Sequence, residues 1–127
     1  MADGMAERFI AALGRLEADR DADALVALYA DDAETGNVNT PKGFSGPDGA
    51  RTFWTEYRGT FGEMKSEFRN QIDAGERIAL EWNTVGTSVE GNPIEYSGVS
   101  IIEVQGDKVA RFQAYFDPSA LGRQIAR

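Results

Sequence analysis

The segment from Glu76 to Asp117 constrains the fold of this chain more than any other part. It contains three runs that are rich in Val, Ile, Tyr, Phe and Trp, the residue types that favour strands. The runs are Arg77–Val89, Pro93–Val104 and Lys108–Phe116. Short breakers centred on Gly91 and Gly106 separate them, and the Gly, Asn and Asp of such breakers tolerate the positive φ of hairpin turns. Because short loops join consecutive strands, the sequence predicts an antiparallel meander of three strands.

Each predicted strand has two faces, because side chains alternate along an extended chain. The even-numbered face is mostly aromatic or small and carries a few neutral polar groups. Its members are Leu80, Trp82, Thr84, Tyr96, Gly98, Ser100, Ile102, Phe112, Ala114 and Phe116. On the opposite face, charged residues surround an apolar stripe that consists of Val85, Val99, Ile101 and Tyr115. A sheet with two partly apolar faces needs cover on both of them.

The rest of the chain alternates predicted helices and strands. We predict helices over Ala6–Ala18, Ala22–Tyr29 and Asp48–Arg58, strands over Ala33–Thr40 and Met64–Ile72, and a short C-terminal helix capped by Asp117. In the first helix, the apolar face is assigned to Phe9, Leu13 and Leu16. The charged residues Glu7, Arg8, Arg15 and Glu17 are placed elsewhere on the helix.

Composition and charge narrow the function classes. The chain has 127 residues, which is enough for one domain with its own core. A net charge of −8 and a pI near 4.5 argue against a nucleic-acid backbone or an anionic membrane surface as the main partner. No apolar run approaches membrane-spanning length and no signal-peptide core opens the chain, so we expect a cytoplasmic protein.

The chain has neither Cys nor His, which excludes disulfides, a thiolate nucleophile, zinc–thiolate sites and the commonest general base near neutral pH. Asp19, Asp21 and Asp23 have the spacing that opens a calcium loop, but Ala24 and Ala30 occupy its turn and bidentate positions. We therefore interpret these Asp residues as helix caps, and we predict neither a metal site nor a cofactor.

Three local motifs accompany this order of helices and strands. They are Leu25–Ala33 (LVALYADDA), Phe44–Gly49 (FSGPDG) and Phe112–Asp117 (FQAYFD). Together they resemble the nuclear transport factor 2-like superfamily, and within it the SnoaL-like branch with its ketosteroid isomerase, limonene-epoxide hydrolase and polyketide cyclase relatives. The resemblance implies an α+β fold with residues 1–127 as a single SnoaL-like domain. Its sheet is cone-shaped, curved and antiparallel, and it wraps around N-terminal helices with an internal pocket.

The resemblance carries none of the family's three known mechanisms into this chain, although one of the two water-holding positions of the epoxide hydrolases matches at Asn37 and the other holds Thr35. The position of the ketosteroid isomerase base holds Asn37, and the positions of its two oxyanion donors hold Phe9 and Ser100. The positions of the epoxide hydrolase relay are Trp82, Thr84 and Ala114. The His of the polyketide cyclases has no counterpart, because the chain has no His. We therefore name no catalytic residue, and the sequence leaves open whether the protein is an enzyme.

The helices and the even-numbered face of the sheet predict an internal pocket. The residues expected to line it and contact a ligand are Phe9, Asn37, Trp54, Tyr57, Leu80, Trp82, Thr84, Tyr96, Ser100, Phe112, Ala114 and Phe116, with Leu13 beside them. Such a lining is typical of a site for a small apolar molecule. Tyr57 and Tyr96 have an alternative role as core aromatics with solvated hydroxyls. Glu34 is the carboxylate nearest to the entrance, and we interpret it as solvated.

Three functions from different classes remain open. The first is an isomerase- or cyclase-type enzyme acting on a small apolar carbonyl compound, and the second is a non-catalytic domain that binds an apolar ligand. The third is a protein-interaction module that uses the outer face of the sheet. A carboxylate or tyrosinate within hydrogen-bond reach of a ligand would favour the enzyme. We also expect a homodimer through the apolar stripe, unless Leu121 and Ile125 of the C-terminal helix cover that stripe.

Overall fold

The computed structural model describes residues 4–126. The helices in these residues are α1 (Met5–Asp19), α2 (Asp23–Val26), α3 (Gly46–Gly59) and α4 (Pro118–Ile125). The strands are β1 (Tyr29–Asn37), β2 (Phe44–Ser45), β3 (Phe61–Asp73), β4 (Arg77–Ser88), β5 (Pro93–Gln105) and β6 (Lys108–Phe116). The predicted order of elements is confirmed, and β2 is an additional short strand. None of these helices, within the described residues, combines the length and apolar character needed to cross a membrane.

The strands form one open, six-stranded sheet in the order β2-β1-β6-β5-β4-β3. Strands β4, β5 and β6 pair antiparallel, as the hairpin breakers predict, and Gly91 and Gly106 at the two turns have φ of 92° and 64°. β3 extends the meander antiparallel to β4, whereas β1 lies parallel to β6 and makes the sheet mixed. The result is the curved α+β cone that the resemblance implies.

β1 begins at Tyr29, inside the segment predicted as the end of a helix. Helix α2 spans only Asp23–Val26, because Tyr29 pairs with Val109 of β6 and the Val109 N–H donates to the Leu28 carbonyl at 2.8 Å. The local apolar pattern favours a helix, but pairing with a strand far along the chain overrides it. The predicted helix Ala22–Tyr29 is therefore too long, and the predicted strand after it starts too late.

The helices cover the even-numbered face of the sheet, which turns inward as predicted. The main core joins α1 and α3 to this face, and its members Phe9, Leu16, Leu80 and Ile102 are at most 1% exposed. A second cluster occupies the end of the sheet where α4 lies. Its members are Phe61, Met64, Trp82, Ile94, Tyr96 and Leu121. The sheet thus carries two adjoining apolar regions on one face.

The C-terminal helix does not cover the apolar stripe on the outer face. Leu121 of α4 belongs to the inward-facing cluster, whereas Val85, Val99 and Tyr115 are 43%, 36% and 47% exposed. The alternative in which α4 folds over the stripe is therefore wrong. Asp117 caps α4 as predicted, since its side chain accepts hydrogen bonds from the N–H groups of Ser119 and Ala120.

Candidate active site

The pairing register aligns the inward side chains in rows that cross the strands. The polar row is Ser66, Thr84 and Tyr96 on β3, β4 and β5. The aromatic row is Phe68, Trp82, Gly98 and Phe116 on β3 to β6. The third row consists of Leu80, Ser100, Ala114 and Asn37 on β4, β5, β6 and β1. Because neighbouring strands lie about 4.8 Å apart, each row brings together side chains that are distant in sequence.

A cavity of about 30 Å³ lies between these rows and helices α1 and α3. Its walls consist of Phe9, Leu13, Glu17, Asn37, Phe53, Trp54, Tyr57, Ser66, Phe68, Leu80, Trp82, Ser100, Phe112, Ala114 and Phe116. Since one water molecule needs roughly 10–15 Å³ measured in this way, the cavity has room for about two of them. The hollow that the sequence predicts is therefore present, but it is small.

The structure places most of the predicted lining residues on this cavity. Thr84 and Tyr96 are the exceptions, because neither lies on the cavity wall. Their hydroxyls are hydrogen-bonded to Ser66 and Tyr57, which do lie on it. The lining residues that the sequence analysis missed are Glu17, Phe53, Ser66 and Phe68. That these residues contact a ligand stays a prediction.

A wider vestibule of about 170 Å³ opens outside the cavity. The two spaces share Asn37, Phe53, Tyr57 and Phe116, which therefore form the boundary between them; we refer to this boundary as the passage. The rest of the vestibule wall consists of Asn39, Thr40, Phe44, Glu56, Thr60, Phe61 and Leu121. Solvent thus approaches the cavity between the end of β1, the second half of α3 and the start of α4.

Glu17 brings a carboxylate into the wall of the cavity. The residue is only 6% exposed and lies on α1 one turn after Leu13 and two turns after Phe9. The prediction that places Glu17 off the apolar face of α1 is wrong, because residues at i, i+4 and i+8 share one side of a helix. That spacing was the available sequence signal. Glu34, by contrast, is exposed as predicted.

Ser66 holds the Glu17 carboxylate from the sheet. Its backbone N–H donates to Oε1 at 2.9 Å, and its hydroxyl donates to Oε2 at 2.6 Å. Because this uses the only hydroxyl proton of Ser66, Thr84 is the donor in the 2.6 Å bond between Thr84 Oγ1 and Ser66 Oγ. A carboxylate offers about four acceptor positions, so Glu17 keeps capacity to accept a hydrogen bond from a ligand. We refer to Glu17, Ser66 and Thr84 as the Glu17 cluster.

Arg58 fixes the end of α1 that carries Glu17. Its buried guanidinium donates from Nε to the Glu17 carbonyl at 3.1 Å, and from Nη1 and Nη2 to the carbonyls of Phe61 and Gly62, each at 3.0 Å. Burial lowers the pKa of Arg58, and the neighbouring charge of Arg20 lowers it further. Among residues 4–126, no Lys or Arg nitrogen lies within 4.0 Å of the Glu17 carboxylate, which is therefore held by hydrogen bonds rather than by an ion pair.

Tyr57 and Tyr96 form a pair of phenols at the passage into the cavity, with their hydroxyls hydrogen-bonded to each other. Burial raises the pKa of both above the ordinary value of 10.0, and the negative charge of Glu17 raises each further. Both phenols are therefore protonated near neutral pH. Only Tyr57 lies on the cavity wall, so a bond donated by Tyr96 to Tyr57 leaves the Tyr57 proton available to a ligand.

Trp82 and Ser100 form a fixed polar contact on the sheet floor. Trp82 Nε1 donates to Ser100 Oγ at 2.9 Å, which leaves the Ser100 proton as a donor toward the cavity. Gly98 makes this possible, because a Cβ at that position would lie 2.6 Å from Trp82 Cζ2 and 2.4 Å from the Tyr115 carbonyl oxygen. Because Gly98 has no side chain, the Trp82 indole can pack closely against β5.

Asn37 presents a donor where the cavity meets the vestibule. Its Oδ1 accepts the Asn39 N–H at 2.8 Å, and its own N–H donates to Thr40 Oγ1 at 2.8 Å. Because the oxygen of the amide is occupied by the loop, the Nδ2 group is the part of the side chain that remains for a ligand. Asn37 is 7% exposed and borders both spaces.

A second buried polar group, the Tyr29 cluster, lies at the other end of the core. Trp54 Nε1 donates to the Tyr29 hydroxyl at 3.0 Å, and that hydroxyl is 2.9 Å from Thr35 Oγ1. Burial raises the pKa of Tyr29 to about 12. Neither Tyr29 nor Thr35 lies on the cavity wall, so their polar atoms are satisfied within the core. Among the described residues, no group of three or more Asp or Glu side chains could hold a metal ion.

Comparison with known proteins supports the fold. A sequence model of the SnoaL-like domain matches residues 6–112. Among curated proteins, none matches significantly. The structure of TerC co-crystallised with polyporic acid has a TM-score of 0.82 at 21% identity, covering 96% of this chain and 98% of that chain.

Two further solved structures have the same fold. A protein of Catenulispora acidiphila with a ketosteroid isomerase-like fold, in complex with trimethylamine, has a TM-score of 0.80 at 15% identity, covering 93% of this chain and 92% of that chain. An LEH-like epoxide hydrolase of M. tuberculosis has a TM-score of 0.73 at 18% identity, covering 96% of this chain and 86% of that chain. At such identities the likeness shows the fold alone.

Proposed function

The chain belongs to the SnoaL-like domain family, and from this premise we propose that it is an isomerase-type enzyme that moves a proton on a small apolar carbonyl compound. The observation that carries the proposal is the buried Glu17 carboxylate, which shares one cavity with the Tyr57 hydroxyl. The sequence alone supplied no base for such a reaction. A carboxylate on the cavity wall is the group whose presence favours chemistry over binding.

Glu17 is the base in the proposed reaction. Its carboxylate takes a proton from the carbon next to the ligand carbonyl; the electron pair of the broken C–H bond forms a carbon–carbon double bond, and the π pair of the C=O bond moves to the oxygen to give an enolate. In a β,γ-unsaturated ketone, Glu17, now a neutral acid, returns the proton to the γ-carbon as the C=O bond forms again, which moves the double bond into conjugation and regenerates the carboxylate. Ser66 holds the carboxylate in one orientation through both of its hydrogen bonds, so little reorganisation is needed.

The phenol pair stabilises the charge that develops on the enolate oxygen. Tyr57 donates to that oxygen, and Tyr96 donates to Tyr57 and polarises it. Because burial raises the pKa of both hydroxyls, they stay neutral donors while the negative charge forms. Ser100 and Asn37 supply further donors that orient the ligand.

The test is the exchange of α-protons on a simple apolar ketone. We expect the protein to accelerate the exchange of the α-protons of 1-indanone in D₂O, followed by proton NMR. The Glu17→Gln variant should lose the acceleration by about 10²- to 10⁴-fold, the range that a positioned general base contributes. Glu34→Gln is the matched control, because Glu34 is an exposed carboxylate outside the cavity and should leave the rate unchanged.

The same experiment also tests the alternative, which is a non-catalytic domain that binds an apolar ligand. The mainly aromatic and aliphatic lining favours this candidate. If 1-indanone binds to the protein but its α-protons exchange no faster than in buffer, the protein is a binder. If exchange is accelerated equally in Glu17→Gln, the base is another group.

We also propose a homodimer through the apolar stripe and a cytoplasmic location. Val85, Val99 and Tyr115 are exposed on the outer face, and Ile101 is half-buried between them. Such a surface is typical of an interface between copies. Sedimentation should give a dimer for the native chain and a monomer for Val85→Glu, whereas Val89→Glu, which changes an exposed valine outside the stripe, should remain dimeric.

A further inference from the structure

The cavity beside Glu17 is smaller than any substrate of the proposed reaction. Its volume of about 30 Å³ compares with roughly 300–1,000 Å³ for typical small-molecule sites. The vestibule is wider, and Leu121 at the start of α4 forms part of its wall. Ligand binding therefore requires one of the elements around the passage to move.

Leu121 occupies an apolar seat next to the passage. The residue is 6% exposed and packs in the cluster with Phe61, Met64, Ile94 and Tyr96. Tyr96 is also the partner of Tyr57, so the seat lies directly behind the phenol pair. The only polar side-chain atom contributed to the seat by these residues is the Tyr96 hydroxyl, which already has a partner. An apolar group of a ligand could therefore replace Leu121 without loss of a hydrogen bond.

The helix that carries Leu121 is short, and the residues that hold it to the sheet include Leu121, Ile125 and Gln124. α4 has eight residues, a length at which a helix has little stability of its own. Its side-chain latch is Gln124, whose Oε1 accepts the Glu95 N–H at 2.7 Å and whose Nε2 donates to the Glu95 carbonyl at 2.9 Å. The pairing of β5 with β6 begins only at Gly98, so Gln124 takes the place of a neighbouring strand at Glu95.

We infer that α4 is a displaceable lid and that the seat of Leu121 is an apolar ligand subsite. The inference rests on the proposed function and specifies its substrate class. The carbonyl end of the substrate enters the inner cavity beside Glu17, and an uncharged apolar extension, at least as large as a leucine side chain, occupies the seat after Leu121 leaves it. A ketone without such an extension, 1-indanone included, is admitted by movement of the other residues around the passage and leaves α4 in place.

A single thiol at Leu121 measures the position of the lid. The chain contains no Cys, so Leu121→Cys carries the only thiol that a maleimide reagent can label. We expect labelling of this variant to be slow and to become at least tenfold faster with saturating octanophenone. Acetophenone, which has the same aryl ketone but only a methyl group beyond the carbonyl, should leave the rate unchanged. An unchanged or slower rate with octanophenone overturns the subsite.

The latch is tested separately from any ligand. Adding Gln124→Ala to Leu121→Cys should speed labelling by roughly tenfold, since two hydrogen bonds to the Glu95 backbone are lost. Exchange of the Glu95 amide hydrogen should rise by a similar factor. Arg123→Ala is the matched control, because it changes the same helix turn at an exposed residue. Equal rates in the two variants overturn Gln124 as the latch.

The outcomes separate this inference from the proposed function. If octanophenone speeds thiol labelling but 1-indanone shows no α-proton exchange, the lid and subsite stand and the protein is a binder rather than an enzyme. If exchange depends on Glu17 while octanophenone leaves labelling unchanged, the base stands and the lid is wrong.

Discussion

The Glu17 cluster and the Tyr29 cluster are arranged alike but have different surroundings. Each joins a helical residue to a hydroxyl on the sheet, and each is buried beneath apolar side chains. In the Tyr29 cluster, the hydroxyl of Tyr29 is bonded to both of its partners, and Trp54, which also lines the cavity, has its only side-chain N–H donor engaged by Tyr29. In the Glu17 cluster, the carboxylate forms part of the cavity wall and keeps free acceptor positions.

This difference teaches how to separate structural from functional polar groups in one core. Burial and hydrogen bonding are common to both clusters and so do not identify a site. A polar group with unused hydrogen-bonding capacity that faces a cavity does identify a site. Only such a group can interact with a ligand without first breaking a hydrogen bond in the protein. Substitutions in the Tyr29 cluster should therefore affect stability, and those around Glu17 should affect the reaction.

After the loss predicted for Glu17→Gln, the largest expected effect is on the reaction rate when the cavity-facing phenol is removed. Tyr57→Phe should slow the α-proton exchange of 1-indanone by about 100-fold, the size of effect found when one donor to a developing oxyanion is lost. Tyr96→Phe should slow it by only about tenfold, because Tyr57 keeps its own hydroxyl. NMR exchange rates measure both variants. A larger loss in Tyr96→Phe than in Tyr57→Phe would make Tyr96 the direct donor.

The next largest effect is expected from a substitution in the Tyr29 cluster, which should change the free energy of unfolding but not the reaction rate. Tyr29→Phe leaves the buried Trp54 Nε1 and the Thr35 hydroxyl without their partner, which should lower the free energy of unfolding by about 1–3 kcal/mol. The exchange rate of 1-indanone should stay within about twofold of the native value.

Urea denaturation measures the stability of this variant, with Thr55→Val as the control. Thr55 is exposed on α3 and lies outside the apolar stripe, so loss of its hydroxyl should change the free energy of unfolding by less than about 0.5 kcal/mol. A loss of exchange activity in Tyr29→Phe would contradict the division between the two clusters.

A smaller effect is expected at Ser66, which orients the base without touching the reacting atoms. Ser66→Ala removes the hydroxyl bond to Glu17 Oε2 but leaves the bond from the backbone N–H. We expect the exchange rate to fall by roughly tenfold, through a lower kcat rather than a higher KM, because the ligand contacts remain. Ser97→Ala, which removes an exposed hydroxyl, should leave both constants unchanged.

The sequence predicted the sheet better than the site, for a physical reason. The meander depends on local signals, since Gly91 and Gly106 favour hairpin turns and the alternation of side chains decides which face turns inward. β1 was mispredicted at Tyr29, because its parallel pairing with β6 is a contact between distant parts of the chain.

Glu17 was missed for another reason. The helix phase was assigned from apolar residues alone, although the spacing from Phe9 and Leu13 already placed Glu17 beside them. The seat of Leu121 could not be predicted from local pattern, because it joins residues of β3, β4 and β5 to a helix at the other end of the chain. Clusters of this kind depend on tertiary packing, on which local sequence pattern carries little information.

The smallest effect is a difference in pH dependence between the native chain and Tyr29→Phe. Burial raises the pKa of Tyr29 from 10.0 in the unfolded chain to about 12 in the folded one. Between these values the folded state binds more protons, so this residue's contribution to stability is complete below pH 10 and is lost as the pH rises toward 12. Tyr29→Phe lacks this contribution, whereas Tyr57 and Tyr96 titrate in both proteins. The free energy of unfolding should therefore fall more steeply in the native chain, by about 1 kcal/mol per pH unit, in urea titrations at increasing alkaline pH. Parallel pH profiles for the two proteins would mean that the Tyr29 hydroxyl is solvated, and the contrast between a closed cluster and a cavity-facing one would fail.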